Sequence, residues 1–229
     1  MTGTHFLPDH RGKHFCFDKR GLEANVEAAA LIGRIITDWA RVEHELAMLV
    51  AALLGDAPRG GLALFGALWS ARQQRDALTA LASAQVGDGD TRALISDVLQ
   101  AVAHVAQERH DIAHGVFGWS FDLPELTLWV KADDLAQYHA EAWHRFADPT
   151  IPQEQKHHDD HKALIRCYAI DDLKNIRSEI AEAKQIVFGL YGIIRQGRSP
   201  TSPEFETLSS APLVQRVRSR RAPPKKSSP

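Results

Sequence analysis

The densest chemistry in the chain lies in residues 108–115, which read Glu-Arg-His-Asp-Ile-Ala-His-Gly. Apolar residues at positions 94, 98, 102, 105 and 112 recur at helical spacing, which predicts one buried helical face. Arg109 falls on that face, where a guanidinium needs a carboxylate or a bound anion. His110 and His114 lie about 40° apart around such a helix and away from its apolar face. We therefore expect the two rings to face solvent together.

The charge and cysteine content of the chain exclude several classes of function. Of 229 residues, 27 are basic and 29 acidic, and the apolar content is enough for one core. The segment from Gly197 onward has a net charge of +5, so the remainder carries −7 and does not look like a duplex-DNA binder. Cys16 and Cys167 have no C-x-x-C partner, so neither a zinc knuckle nor a disulfide framework is indicated.

The chain shows no targeting or membrane-spanning pattern. Residues 1–20 lack the apolar core of a signal peptide. No window approaches the roughly 20 apolar residues that cross a bilayer. We expect a soluble protein of the reducing cytoplasm.

Four long helices are predicted from the spacing of apolar residues, and they must position the chemistry described above. They span about 21–54, 61–85, 90–114 and 171–196. We expect Asp90 or Thr91 to cap the third helix and Gly115 to end it. Asp171 or Asp172 is expected to cap the fourth. Short connections favour an antiparallel helical bundle, so the fold class is mainly α.

A small β appendage is predicted after the third helix. Residues 116–121 and 126–130 are rich in β-formers around a turn, and 163–169 adds a third strand. A short helix at 133–146 and a polar loop at 148–161 separate the second predicted strand from the third. The domains are then an N-terminal arm (1–20), a helical domain (21–196) with a β insertion at about 116–170, and a basic tail (197–229). We expect the Ser-, Pro- and Arg-rich tail to be disordered.

The spacing of Arg109 and His114 resembles the R-x(4-6)-H signature of the HEPN superfamily, all-helical proteins in which a polar residue, here His110, usually follows the arginine. The resemblance covers the motif, its place near a helix end and the long helices. It implies a metal-independent endoribonuclease of the toxin or phage-defence type, without a cofactor, whose composite site uses the 2′-hydroxyl of RNA. Arg109 would steady phosphate charge, His114 would move a proton and His110 would assist. The resemblance also implies a homodimer and a cognate antitoxin or regulatory protein.

Two other interpretations of the same residues stay open. On an ideal helix Arg109 and His114 lie about 140° apart, so a shared site requires the helix end to unwind or a second protomer to complete it. If neither condition is met, the chain is interpreted as an inactive HEPN-like module that binds RNA or a protein. The other interpretation is a purely structural role, because cations in a last helical turn favour the negative end of the helix dipole.

Metal-binding patterns occur at two places. His110-Asp111-x-x-His114 is a variant of the zinc-binding H-E-x-x-H motif, although aspartate is shorter than glutamate and no third ligand is evident. The run His157-His158-Asp159-Asp160-His161 lies in the polar loop and is typical of a solvated connection or a weak metal site.

An ion network between helices is the last prediction. Arg75 lies on the apolar stripe of the second helix, so we expect both Arg75 and Arg109 to point inward. At least one of them should meet an acid of the first helix. The predicted network comprises Arg72 and Arg75 on the second helix and Asp38, Glu43 and Glu45 on the first.

Overall fold

The computed structural model describes residues 5–7, 14–18, 20–55, 58–68, 70–147 and 161–221. The fold is mainly α with a small antiparallel sheet, as the sequence predicts. The chain divides into two compact units. Unit 1 comprises residues 1–36 and 108–177, and unit 2 comprises residues 37–107 and 178–229.

The described residues form nine helices, numbered here in chain order. They are α1 (Arg20–Glu23), α2 (Val26–Leu53), α3 (Pro58–Ala67), α4 (Ala71–Gln85), α5 (Gly89–His114), α6 (Ala132–Ala147), α7 (Ile170–Gln196), α8 (Pro203–Ser209) and α9 (Pro212–Arg221). Gly55 and Gly197 follow α2 and α7 with φ of 74° and 59°, the left-handed conformation that glycine adopts most easily. None of the described helices combines the length and apolar character that crossing a bilayer requires.

Several predicted helix boundaries are wrong. The helix predicted at 21–54 is interrupted between Glu23 and Val26, and the one expected to be capped by Asp171 or Asp172 already begins at Ile170. The helix predicted at 61–85 is two helices, because Ser70 starts a new one. Its side chain accepts a hydrogen bond from the Gln73 amide, and the Gln73 side chain accepts one from the Ser70 amide, each at 3.2 Å. Asp88, rather than Asp90 or Thr91, caps α5 by accepting from the Thr91 amide at 2.6 Å. Hydrogen bonds from Thr91 hold the pKa of Asp88 below its ordinary value.

The described residues form one sheet of four strands in the order β1-β4-β3-β2, and all neighbours are antiparallel. The strands are β1 (His5–Phe6), β2 (Gly115–Gly118), β3 (Thr127–Lys131) and β4 (Arg166–Tyr168). The predicted hairpin and third strand are confirmed. The N-terminal arm is not a separate element, because it supplies β1 and a bridge from Cys16 to Trp119. A strand of two residues is too short to show alternation in the sequence.

Unit 1 has a compact apolar core beneath the sheet. Its buried members are Leu7, Leu123, Leu128, Val130, Leu135, Ile165 and Cys167. The helix predicted at 133–146 is confirmed as α6, which follows β3 without a break. Of the histidine-rich run, only His161 is among the described residues; it is buried and stacks on Tyr138 with ring centroids 4.0 Å apart. His157, His158, Asp159 and Asp160 lie outside the described residues.

The predicted disorder after Gly197 is wrong for residues 198–221. These residues form α8 and α9, whose apolar residues face the interior of unit 2. The buried side chains are those of Phe205, Leu208, Leu213, Val214 and Val217. The mean composition of the segment hides these two short apolar faces. Residues 222–229 lie outside the described residues.

The arginines of α9 pair with acids of unit 2. The Asp97 side chain is only 6% exposed, and it accepts from Arg218 Nε at 2.7 Å and from Arg221 Nη1 at 2.6 Å. Arg216 Nη1 donates to Glu179 Oε1 at 2.6 Å. This part of the basic segment therefore neutralises acids of the helical core rather than forming a solvated tail.

Ending the chain at Gln196 should abolish the cooperative unfolding of unit 2. The deletion exposes the cavity left by five apolar side chains, each worth about 1.5–3 kcal/mol when buried. It also leaves the Asp97 carboxylate buried without its arginines. A whole domain is stable by only about 5–15 kcal/mol. Thermal unfolding followed by circular dichroism checks this, with a chain ending at Arg221 as the matched control. Melting temperatures within a few degrees of each other would contradict the assignment.

Candidate functional site

Two exposed histidines lie side by side at the end of α5. The helix is unbroken from Gly89 to His114, so His110 and His114 are separated by about one turn. Both side chains are exposed, and their ring centroids are 4.4 Å apart with the ring planes at 48°. The prediction that they face solvent together is confirmed. We call these two residues the histidine pair.

Arg109 does not join the histidine pair within one chain. Since α5 stays helical through His114, Arg109 lies about 140° around the helix from it. The side chain is half-buried, and its Nε is buried without a hydrogen-bond partner among the described residues. The alternative in which the helix end unwinds is therefore excluded by the structure.

The predicted ion network between helices is not formed. Arg75 is 44% exposed and lies near Asp76 of its own helix, with Nη2 to Oδ1 at 3.8 Å, so the prediction that it points inward is wrong. Arg72 also pairs with Asp76, at 3.7 Å. Both arginines lie close to the start of α4, beside the break between α3 and α4. Their long side chains reach water from this position.

The acids predicted to meet these arginines have other surroundings. Asp38 pairs with Arg41 one turn away, at 3.5 Å. Glu43 accepts a hydrogen bond from the indole nitrogen of Trp39 at 2.9 Å. Glu45 is half-buried on the same helix. Within unit 1, no ion pair joins Arg109 to another of the described residues. Within unit 2, the described residues show no ion pair between Arg75 and Glu43 or Glu45, and the supporting roles predicted for these three residues stay a prediction.

Asp111 fixes the end of α5 to the sheet. Its Oδ2 accepts from Arg166 Nη1 at 2.7 Å, and its side chain is only 11% exposed. Its main-chain carbonyl accepts from Trp129 Nε1 at 2.9 Å. The Arg166 guanidinium lies 4.9 Å above the Trp129 ring. We call Asp111, Trp129 and Arg166 the Asp111 anchor; it makes Asp111 a positioning residue.

The surroundings of Arg166 keep its guanidinium charged. Burial alone would lower the pKa of Arg166, but hydrogen bonds to Asp111 and Tyr168 raise it above its ordinary value. Burial raises the pKa of Tyr168, so this phenol stays neutral at physiological pH. Arg166 therefore remains a cation beside Asp111 at physiological pH.

Gly115 serves packing rather than helix termination. Gly115 directly follows the last residue of α5, as predicted, but its φ is not positive and β2 begins there directly. A Cβ built on Gly115 would lie 1.6 Å from Trp129 Nε1. Only glycine lets the indole approach closely enough to reach the Asp111 carbonyl. Sequence reasoning missed Trp129 and Arg166, because their link to α5 joins residues far apart in the chain.

The zinc-binding interpretation of residues 110–114 has no support in the geometry. Asp111 bonds to Arg166 instead of sharing a site with the histidine pair. Among the described residues, no group of three His, Cys, Asp or Glu side chains is arranged to hold a metal ion.

The histidine pair is the feature of this helix end that can perform chemistry. Imidazole takes up and releases protons near neutral pH, so adjacent rings can remove a proton from one atom and deliver a proton to another. No protein-family model, curated protein or solved structure matches the chain.

Replacing Gly115 with alanine should destabilise the protein and weaken the Asp111 anchor. The new methyl group overlaps the buried Trp129 indole, and overpacking of this kind costs about 1–3 kcal/mol. Chemical denaturation monitored by tryptophan fluorescence checks this. Gly192→Ala is the matched control, since a Cβ there meets nothing within 4 Å and should leave stability unchanged or slightly higher. Equal stability of Gly115→Ala and Gly192→Ala would refute the packing role.

Proposed function

We propose that the chain is a metal-independent endoribonuclease in which His110 and His114 are the acid–base pair. The observation that carries this proposal is the exposed histidine pair, whose ring centroids are 4.4 Å apart at the end of an unbroken helix. One neutral imidazole takes the proton of an RNA 2′-hydroxyl as that oxygen forms a bond to the adjacent phosphorus. The bond from phosphorus to the 5′-oxygen breaks, and the other imidazole protonates the leaving oxygen. The products are a 2′,3′-cyclic phosphate and a 5′-hydroxyl.

In this proposal Arg109 stabilises the negative charge of the RNA phosphate, in a composite site formed by two chains. Arg109 is only partly buried, and a guanidinium carries five N–H donors in a planar fork that suits a phosphate. Because Arg109 lies about 140° from His114, the phosphate at one histidine pair would be met by Arg109 of a second protomer. The resemblance to HEPN proteins supports the same arrangement. We therefore propose a cytoplasmic homodimer of the toxin or phage-defence type, with RNA as the substrate.

A cognate antitoxin or regulatory protein belongs to this proposal. A nuclease whose catalytic imidazoles are open to solvent would act on any RNA that reaches them. A partner that covers the histidine pair would suppress the activity without altering the fold.

An inactive binding module is the second candidate function. It is favoured by the separation of Arg109 from the histidine pair around one regular helix. In that case the same surface binds RNA or a protein without cleavage.

Replacing His114 with alanine should lower RNA cleavage by about 10²–10⁴-fold, the usual contribution of a positioned proton-transfer group. The side chain is exposed, so the fold should be retained. The matched control is His144→Ala, which removes another exposed histidine, from α6, and should cleave at the parent rate. The assay measures 2′,3′-cyclic phosphate ends in the presence of a strong chelator, with DNA of the same sequence as the substrate that should survive.

Three outcomes of this assay would count against the nuclease. Undiminished cleavage by a folded His114→Ala protein would remove His114 from the chemistry. Activity that appears only with added metal would contradict a metal-independent mechanism. Tight RNA binding without cleavage would favour the inactive module.

A further inference from the structure

Unit 1 contains a cleft beside the start of α2 and the turn that leaves β2. Its volume is about 420 Å³, within the range of about 300–1,000 Å³ that is common for small-ligand pockets. The residues that matter for its chemistry are Arg20, Glu23, Asn25, Trp119, Phe121 and Leu126. All of them belong to unit 1, as does the histidine pair. We call this space the Phe121 cleft.

Flat side chains dominate the wall of the Phe121 cleft. Phe121 is 83% exposed, which is unusual for so large an apolar side chain. Its ring meets Trp119 edge to face, with centroids 4.3 Å apart and planes at 89°. The Arg20 guanidinium lies 4.4 Å from the centre of the Trp119 ring. Phe121 is therefore held in place by its neighbour while it offers a face to a ligand.

The charges around the cleft disfavour a phosphate ligand. Arg20 donates from Nε and Nη2 to Asp18 Oδ2 at 3.0 and 2.8 Å, and Trp119 Nε1 donates to Asp18 Oδ1 at 3.0 Å. These bonds, chiefly the one from Arg20, hold the pKa of Asp18 well below its usual range. Asp18 thus stays ionised and offsets the charge of Arg20, while Glu23 adds a further acid to the cleft wall.

The polar groups of the cleft suit a neutral ring with amino and carbonyl substituents. The Glu23 carboxylate accepts hydrogen bonds, as an exocyclic amino group requires. Asn25 Oδ1 already accepts from the Ala28 amide at 3.0 Å, so the side-chain nitrogen of Asn25 remains as a donor. A flat stacking surface with one acceptor and one donor matches a nucleobase.

We propose that the Phe121 cleft binds an unpaired base of single-stranded RNA, which stacks on the Phe121 ring. This inference rests on the proposed function, and it adds the substrate class: RNA whose bases are not paired. Strand β2 leads from His114 to Trp119, a separation of five residues or about 16 Å at the rise of a strand. At about 3.4 Å per stacked nucleotide, roughly five nucleotides cover that distance. A single RNA strand can thus place one base in the Phe121 cleft while a phosphate a few nucleotides away lies at the histidine pair.

Replacing Phe121 with alanine should weaken RNA binding by about 5- to 150-fold, the usual contribution of one base stacked on an aromatic ring. The measurement is fluorescence anisotropy with a labelled, unstructured single-stranded RNA, and every variant also carries His114→Ala so that the RNA stays intact. Phe121→Trp should retain binding because it preserves a flat ring, whereas Phe121→Leu should lose it. Trp143→Ala is the matched control, since it removes another aromatic side chain, 76% exposed on α6, and should leave affinity unchanged.

The dependence on salt separates base stacking from phosphate binding. Removing the Phe121 ring deletes no phosphate contact, so the slope of log Kd against log salt should be unchanged. A shallower slope in Phe121→Ala would overturn the proposal in favour of a backbone contact.

The remaining outcomes distinguish this inference from the nuclease proposal. Equal RNA affinity of the parent, Phe121→Ala and Trp143→Ala would overturn the cleft assignment, while cleavage by the His114-containing protein would still support the nuclease. Binding that requires Phe121 in a protein that never cleaves RNA would support the cleft and refute the nuclease. Failure of the parent to bind single-stranded RNA would overturn the cleft assignment directly.

Discussion

The ion pair between Asp111 and Arg166, 2.7 Å long, is the contact on which the candidate site depends. Together with the hydrogen bond from Trp129 to the Asp111 carbonyl, it joins the last turn of α5 to two strands of the sheet. Helix ends ordinarily fray, because their final carbonyls have no partner within the helix. Here the last turn is held from the side, so the helix stays regular through His114. That regularity sets the separation of the two imidazoles and keeps both of them in solvent.

The same regularity prevents a complete site from forming in one chain. A straight helix brings residues three or four positions apart onto one face, which suits His110 and His114. It sends Arg109 to a different face, about 140° from His114. The proposed nuclease therefore requires a second copy to bring its Arg109 to the histidine pair. In the proposed mechanism the dimer is required for catalysis, because each site takes its arginine from one protomer and its histidines from the other.

Periodic apolar residues were enough to predict α2, α5 and α7, and alternating β-formers were enough to predict the hairpin. The solvent-facing histidine pair followed from helical geometry alone. Three features escaped prediction for physical reasons. The break before Ser70 depends on a local capping box that competes with a continuous apolar stripe. Helices α8 and α9 are short, and the four arginines of α9 obscure the apolar face that this helix buries. The Asp111 anchor joins residues 55 positions apart, a distance over which no local pattern carries information.

The central claim is that Arg109 and His114 of different protomers form one site, and mixing two inactive variants tests it most directly. Arg109→Ala and His114→Ala homodimers should each be inactive. In a mixed dimer one of the two sites is intact, with Arg109 from one chain and His114 from the other. A 1:1 mixture that has exchanged subunits should therefore recover about one quarter of the parent cleavage rate, because half of the dimers are mixed and each has one working site. If both residues act from the same chain, or if the protein works as a monomer, the mixture will stay as inactive as its components, and the composite site will be refuted.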